Sequence, residues 1–262
     1  MSLTLRTIHV TRYVTPLREG GSLPALAEGD DDFLYVLKFR GAGQGVRALI
    51  AELVGGEVAR LLGLRVPELV FAEVDPAFGR TEPDEEIQDL LKASAGLNMG
   101  LHYLSGSLTY DPAVNPVGEE EASRIVWLDA LLMNVDRTAR NTNMLMWQKE
   151  LWLIDHGAAL YFHHAGADFS GQASRPFTPV KDHVLLPQAA RLAEADAEGR
   201  ALLTPDRISA VTGLLPAEWL QVAFPEEDPE TMRAAYTAFL NERIATSSHF
   251  VNEALHARNA AL

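Results

Sequence analysis

The stretch from Asn134 to Leu160, NVDRTARNTNMLMWQKELWLIDHGAAL, constrains this chain more than any other. Two short apolar runs, NMLMW and LWLI, are joined by the polar QKE, the pattern of two antiparallel strands and a tight turn. Charged and amide side chains stand at both ends: Asp136 and Asn141 before the first run, Asp155 after the second. Paired strands lie about 5 Å apart, so the spacing predicts that Asn141 and Asp155 emerge side by side at the open end of the hairpin. Asp136, on the loop that enters the hairpin, is expected to face the same space. An amide oxygen and a carboxylate held together are hard ligands of the kind that suits Mg²⁺, which takes one or two protein carboxylates and leaves room for water and phosphate. Asp136 then stands where a carboxylate could accept or orient a hydroxyl proton without binding the metal itself.

The rest of the chain divides by texture. TIHVTRYV, FLYVLKF, PELVFAEV and LNMGLHYLSG read as strands, and REGGSLPAL between the first two reads as a turn or loop. Apolar positions recur at helical spacing from Val46 to Leu62, with Gly63 as a stop signal, and Asp84 to Ala93 reads as a short helix with an acidic first turn. Glu119 to Met133 is an amphipathic helix that leads into the hairpin. Beyond Pro187 nearly everything reads as helix, and Thr204–Pro205 and Asp228–Pro229 both have the form of an N-cap followed by proline at the first helical position. The expected organisation is a strand-rich N-terminal lobe over residues 1–105 and a mostly helical C-terminal lobe over 106–262 with the hairpin embedded in it.

Composition narrows the function classes. The chain has no cysteine, which excludes disulfides, thiolate metal sites and a cysteine nucleophile and fits a reducing cytoplasm. Its net charge of −14 disfavours nucleic-acid and anionic-membrane partners. No apolar run approaches the roughly 18 residues that cross a bilayer, and the N-terminus lacks the layout of a signal peptide, so export is not expected.

The first lobe supplies a cation. Alternation in FLYVLKF puts Leu34, Val36 and Lys38 on one strand face. A lysine on an apolar face needs a neutralising partner. The following helix offers Glu52, among apolar positions near its middle, and Glu57 further along; Glu52 is the better placed. A strand lysine paired with a helix glutamate, a loop aspartate, an asparagine shortly after it and a later aspartate form the template for phosphoryl transfer. The chain holds Lys38, Glu52, Asp136, Asn141 and Asp155 in that order.

DRTARN followed by LIDHG resembles the catalytic and metal-binding loops of phosphoinositide kinases and of HipA-like kinases. YVLKF followed by LIAELVGGEVARLLGLRVPE resembles the HipA-like bacterial branch specifically. The resemblance implies an α+β, bilobal, protein-kinase-like fold, ATP and Mg²⁺ as ligands, and phosphorylation of a hydroxyl, on a protein serine or threonine. It makes Lys38 the phosphate-contacting lysine, Glu52 its partner, Asp136 the catalytic aspartate, and Asn141 and Asp155 the metal ligands. His156 stands where protein kinases have phenylalanine. Two glycine-rich stretches compete to cover the phosphates: REGGS, with Gly20, Gly21 and Ser22, precedes the lysine strand and is preferred, and RGAGQG follows that strand at a helix start, where an anion could also bind. On position alone, the adenine-contacting connection falls near Tyr103 and Leu104.

Other readings stand beside these. A nucleotide-binding module without turnover and a small-molecule kinase are the alternatives in function. Arg137 and Arg140 flank the aspartate loop and can meet a substrate phosphate or form structural ion pairs. Trp147 and Trp152 are expected in the core. His156, His163, His164 and His183 lack zinc-ligand spacing and read as hydrogen-bonded histidines.

Overall fold

The computed structural model describes residues 3–17, 23–78 and 84–261. Strands β1 (Thr7–Pro16), β2 (Ala25–Gly29), β3 (Leu34–Lys38), β4 (Leu69–Val74) and β5 (Gly96–His102) close into a barrel in the order β1-β2-β3-β5-β4. β1 and β4 pair in parallel and the other neighbours pair antiparallel. Strand alternation sends Ile8, Ala25, Ala27, Tyr35, Leu37, Val70 and Ala72 into one buried cluster inside it. Leu34, Val36 and Lys38 do share a face, as the spacing predicts, but it is the half-buried one; Tyr35 and Leu37 occupy the core face. The segment ALAEG, read in part as loop, is β2, because its small alternate residues fit the barrel interior.

Helix α1 (Gly45–Leu61) connects β3 to β4, and α2 (Glu85–Ala93) connects β4 to β5. Asp84 caps α2 by accepting the amides of Glu86 and Ile87. α1 buries residues all the way round, from Val46 to Ala59, and shares the largest hydrophobic cluster with the C-terminal helices. Its N-terminal turn is tied down as well. The Arg47 guanidinium donates to the Ala223 carbonyl at 2.5 Å and lies 4.9 Å from the Phe224 ring centroid.

The second part begins with β6 (Leu108–Thr109) and α3 (Glu119–Leu132). The hairpin is β7 (Met144–Trp147) and β8 (Glu150–Leu153), in a sheet of order β6-β7-β8. Gln148 and Lys149 take φ of 50° and 67°, the two positive values that a two-residue type I′ turn requires. Helices α4 (Leu192–Leu202), α5 (Pro205–Gly213), α6 (Ala217–Ala223), α7 (Pro229–Ala245) and α8 (Ser248–Ala261) follow. Thr204 and Asp228 cap α5 and α7 as expected, each with proline next in line. The run read as one helix from Pro229 breaks at Thr246 and Ser247, where the Thr246 hydroxyl turns back to the Glu242 carbonyl. Trp147 and Trp152 are half-buried rather than core, packed edge to face at 5.3 Å. The Trp147 indole N–H donates to the Ser105 carbonyl, tying the hairpin to the segment that leaves the barrel. No described helix is long and apolar enough to cross a membrane.

Candidate active site

Lys38 ends β3 and reaches two carboxylates. Its Nζ lies 2.5 Å from Glu52 Oε2 and 2.6 Å from Asp155 Oδ1. Burial works against a charge on Lys38, but Glu52 and then Asp155 outweigh it, and the ammonium is held above the usual lysine range. Burial likewise opposes a charge on Glu52; the Lys38 ammonium leads the opposing effects that bring it down to about 2. Glu57, the other glutamate considered, meets Arg60 at 3.7 Å instead. Asp155 takes φ of 55°, the left-handed region that costs a non-glycine residue about 1–3 kcal/mol. The strain sits where the chain leaves β8 and must turn a carboxylate back toward Lys38.

Asp136 is clasped by amides. Its Oδ2 accepts Asn141 Nδ2 at 2.8 Å and Asn143 Nδ2 at 3.2 Å, and its backbone carbonyl accepts Asn143 Nδ2 at 3.1 Å. Oδ1 accepts no hydrogen bond among the described residues. Because Asn141 spends its Nδ2 on Asp136, the Asn141 Oδ1 is the atom it has left for a cation. Asp155 similarly keeps Oδ2. An amide oxygen and a carboxylate oxygen fit Mg²⁺. Among the described residues no group of three or more His, Cys, Asp or Glu side chains is placed to hold a metal ion.

Beneath the loop lies a buried charge cluster whose central carboxylate, Asp129, sequence reasoning missed. Asp129, fully buried on α3, accepts Asn134 Nδ2 at 2.8 Å, Arg137 Nε at 2.6 Å and His183 Nε2 at 2.9 Å. Burial pushes the Asp129 carboxyl up, but Arg137 and His183 more than reverse this and hold it well below the usual carboxylate range. Arg137 also donates to the Asn143 and Ile154 carbonyls, so one guanidinium ties the aspartate loop to both ends of the hairpin. Of the two arginines, Arg137 is thus structural, while Arg140 is exposed and lines the cleft. The signal for Asp129 was a lone carboxylate in the apolar run WLDALL. His163 is buried and pairs with the Tyr236 hydroxyl at 2.9 Å.

A cavity of about 1230 Å³ runs along the site, lined by Val36, Lys38, Tyr103, Leu104, Asn141 and Asp155 among others, while Glu52 and Asp136 stand behind that lining. Pro16, Leu17 and Pro24, the base of the loop between β1 and β2, also line it. Gly20, Gly21 and Ser22 lie outside the described residues. The other glycine-rich stretch starts α1, where Ala42, Gln44 and Gly45 border a small recess with Lys38 and Asp155. Tyr103 spends its N–H on the Leu34 carbonyl at 2.8 Å.

A strand barrel and a helical region, with a lysine–glutamate pair and an aspartate loop on one cavity, define a kinase-like α+β fold. The sequence profile of HipA-like kinases matches residues 10–250, and the chain belongs to that family. It is a kinase, a phosphotransferase. The solved structure of CtkA, a proinflammatory kinase of Helicobacter pylori, has the same fold: TM-score 0.58 and 13% identity, with 99% of each chain covered. The Golgi casein kinase, solved with Mn and ADP bound, aligns over 100% of this chain and 75% of its own at 14% identity and a TM-score of 0.49. The comparison with curated proteins gave no match.

Proposed function

We propose that this kinase transfers the terminal phosphoryl group of ATP, with Mg²⁺, to a serine or threonine hydroxyl of a protein. The observation that carries the reading is Lys38, bridging Glu52 and Asp155 on the wall of a cavity that Asn141 also lines. Glu52 holds the Lys38 ammonium toward the phosphates. Asn141 and Asp155 would hold Mg²⁺ through their remaining oxygens, and the ion would supply charge neutralisation to the polyphosphate. Asp136 is the catalytic aspartate: its Oδ2 is occupied by two amides, so Oδ1 accepts the proton of the attacking hydroxyl. Gly20, Gly21 and Ser22 cover the phosphates, and Tyr103 and Leu104 border the adenine. With the Tyr103 N–H spent on Leu34, the reading favours the Leu104 N–H as the adenine donor. Residues 1–105 and 106–262 are the two lobes, with the nucleotide between them. A chain without cysteine and with a net charge of −14 supports a cytoplasmic setting and a protein substrate over membrane or nucleic acid.

The test is Asp136→Ala, with ATP binding and phosphoryl transfer to proteins of a cell lysate measured side by side. Binding is expected to persist while transfer falls by roughly 10²–10⁴-fold. A fully active variant removes Asp136 from the chemistry. Label appearing only in small soluble products would move the substrate to a small alcohol.

A further inference from the structure

Glu52 has two carboxylate oxygens and only one is used. Oε2 receives Lys38, whereas Oε1 is buried and accepts no hydrogen bond among the described residues. His156 lies against it, also fully buried, with neither ring nitrogen hydrogen-bonded. His156 Nδ1 is 3.8 Å from Glu52 Oε1. Room for the ring comes from α1 itself. A Cβ on Gly55 would fall 2.6 Å from His156 Cβ and 2.9 Å from its Cγ, so the imidazole fills space that a side chain on the helix would take. Thus the helix face that carries Glu52 is open at one point, and a residue able to donate a proton toward the free oxygen stands there. An unpaired carboxylate oxygen away from water is costly, and a carboxylate with one loose oxygen can rotate off its partner. An apolar ring would fill the same volume without addressing that oxygen.

Building on the kinase reading of Lys38 and Glu52, we propose that His156 is a positioning residue: its Nδ1–H, across a 3.8 Å gap longer than a hydrogen bond, attracts Glu52 Oε1 and biases the carboxylate so that Oε2 stays on Lys38. The carboxylate sets the tautomer, because only a protonated Nδ1 is attracted to it. His156 then acts on the phosphates only through Glu52 and Lys38, from the residue next to Asp155.

Two substitutions separate this role from packing. His156→Phe keeps the ring and removes the donor; His156→Asn places an amide N–H near the Nδ1 position and gives up the ring volume. The expectation is that His156→Phe loses about tenfold or more in kcat/KM for ATP while keeping its thermal midpoint, since small misplacements of a positioning group are costly. His156→Asn is expected to keep more transfer than His156→Phe even where it melts lower. The reverse order of activities, or a fully active His156→Phe, overturns the proposal. Nitrogen NMR of histidine-labelled wild-type protein, assigned with either variant, reads the contact without relying on variant activity. A proton on Nδ1 is expected, and the Nε2–H tautomer overturns it. Wild-type protein without phosphoryl transfer would instead refute the kinase reading of the site, and the same spectra would still decide the His156 contact.

Discussion

Lys38 and Asp155, 117 positions apart in the chain, meet at 2.6 Å between Nζ and Oδ1. The same ammonium holds Glu52, which has no exposed surface. Lys38→Met therefore leaves a buried carboxylate unpaired beside a second one. The expected result is a stability loss of about 3 kcal/mol or more, with ATP affinity and transfer both reduced. Denaturant titration together with nucleotide binding checks this; unchanged ATP affinity would remove Lys38 from the phosphate site.

Asn143 gives Asp136 two of its hydrogen bonds, one to Oδ2 and one to the backbone carbonyl. Hydrogen bonds to a charged group contribute roughly 1.5–3 kcal/mol. Asn143→Ala is expected to lower kcat by about tenfold or more while leaving ATP binding near wild type. The kcat and KM split decides it: a change confined to KM for ATP argues against a role in aiming Asp136.

Asp129 links stability to acid. It faces Arg137, His183 and the Asn134 amide, and its folded-state carboxyl is held below the unfolded value of 3.8. A lowered folded value means that the contribution is fully present above the unfolded value and is lost as pH falls toward the folded one. Urea midpoints measured from pH 7 to pH 3 should drop at the acid end for wild type. Asp129→Asn should be less stable at neutral pH and show a flatter acid limb. Parallel curves would show that Asp129 does not carry the linkage.

Gly55 and Gly213 make a matched pair. Alanine normally stabilises a helix by about 0.5–1 kcal/mol over glycine. At Gly213, the last residue of α5, an added Cβ meets nothing within 4 Å, so Gly213→Ala should be neutral or mildly stabilising. At Gly55 the added Cβ would overlap the His156 Cβ at 2.6 Å. Gly55→Ala should cost about 1–3 kcal/mol through overpacking and reduce transfer by shifting His156 or α1. Equal thermal midpoints for the two variants would contradict the contact.

Much of the fold was legible because its signals are local. Strand alternation, the helical repeat of α1, the proline-led starts of α5 and α7 and the polar turn of the hairpin each lie within a dozen or so residues. The Lys38–Glu52 pairing was also legible, since an isolated lysine and glutamate among apolar neighbours demand partners. Less local features escaped. β2 is short and rich in small residues, and only closure of the barrel gives ALAEG an inside. Trp147 and Trp152 read as core by type, yet the hairpin presents them at its half-buried side and uses the Trp147 indole to hold Ser105.

By itself the sequence determined the order of elements and the residue types on hand for the chemistry: a strand lysine, a helix glutamate, and an aspartate, asparagine and aspartate around one hairpin. Beyond the Lys38–Glu52 pair, only the tertiary structure decided which of them meet. The Asp129 cluster, the Asn143 clasp on Asp136 and the His156 ring against Gly55 all depend on contacts between segments that are distant in the chain or turned by a single left-handed residue. Periodicity reports which face of an element is apolar, but burial and the pairing of charges are set by what the rest of the chain packs against that face.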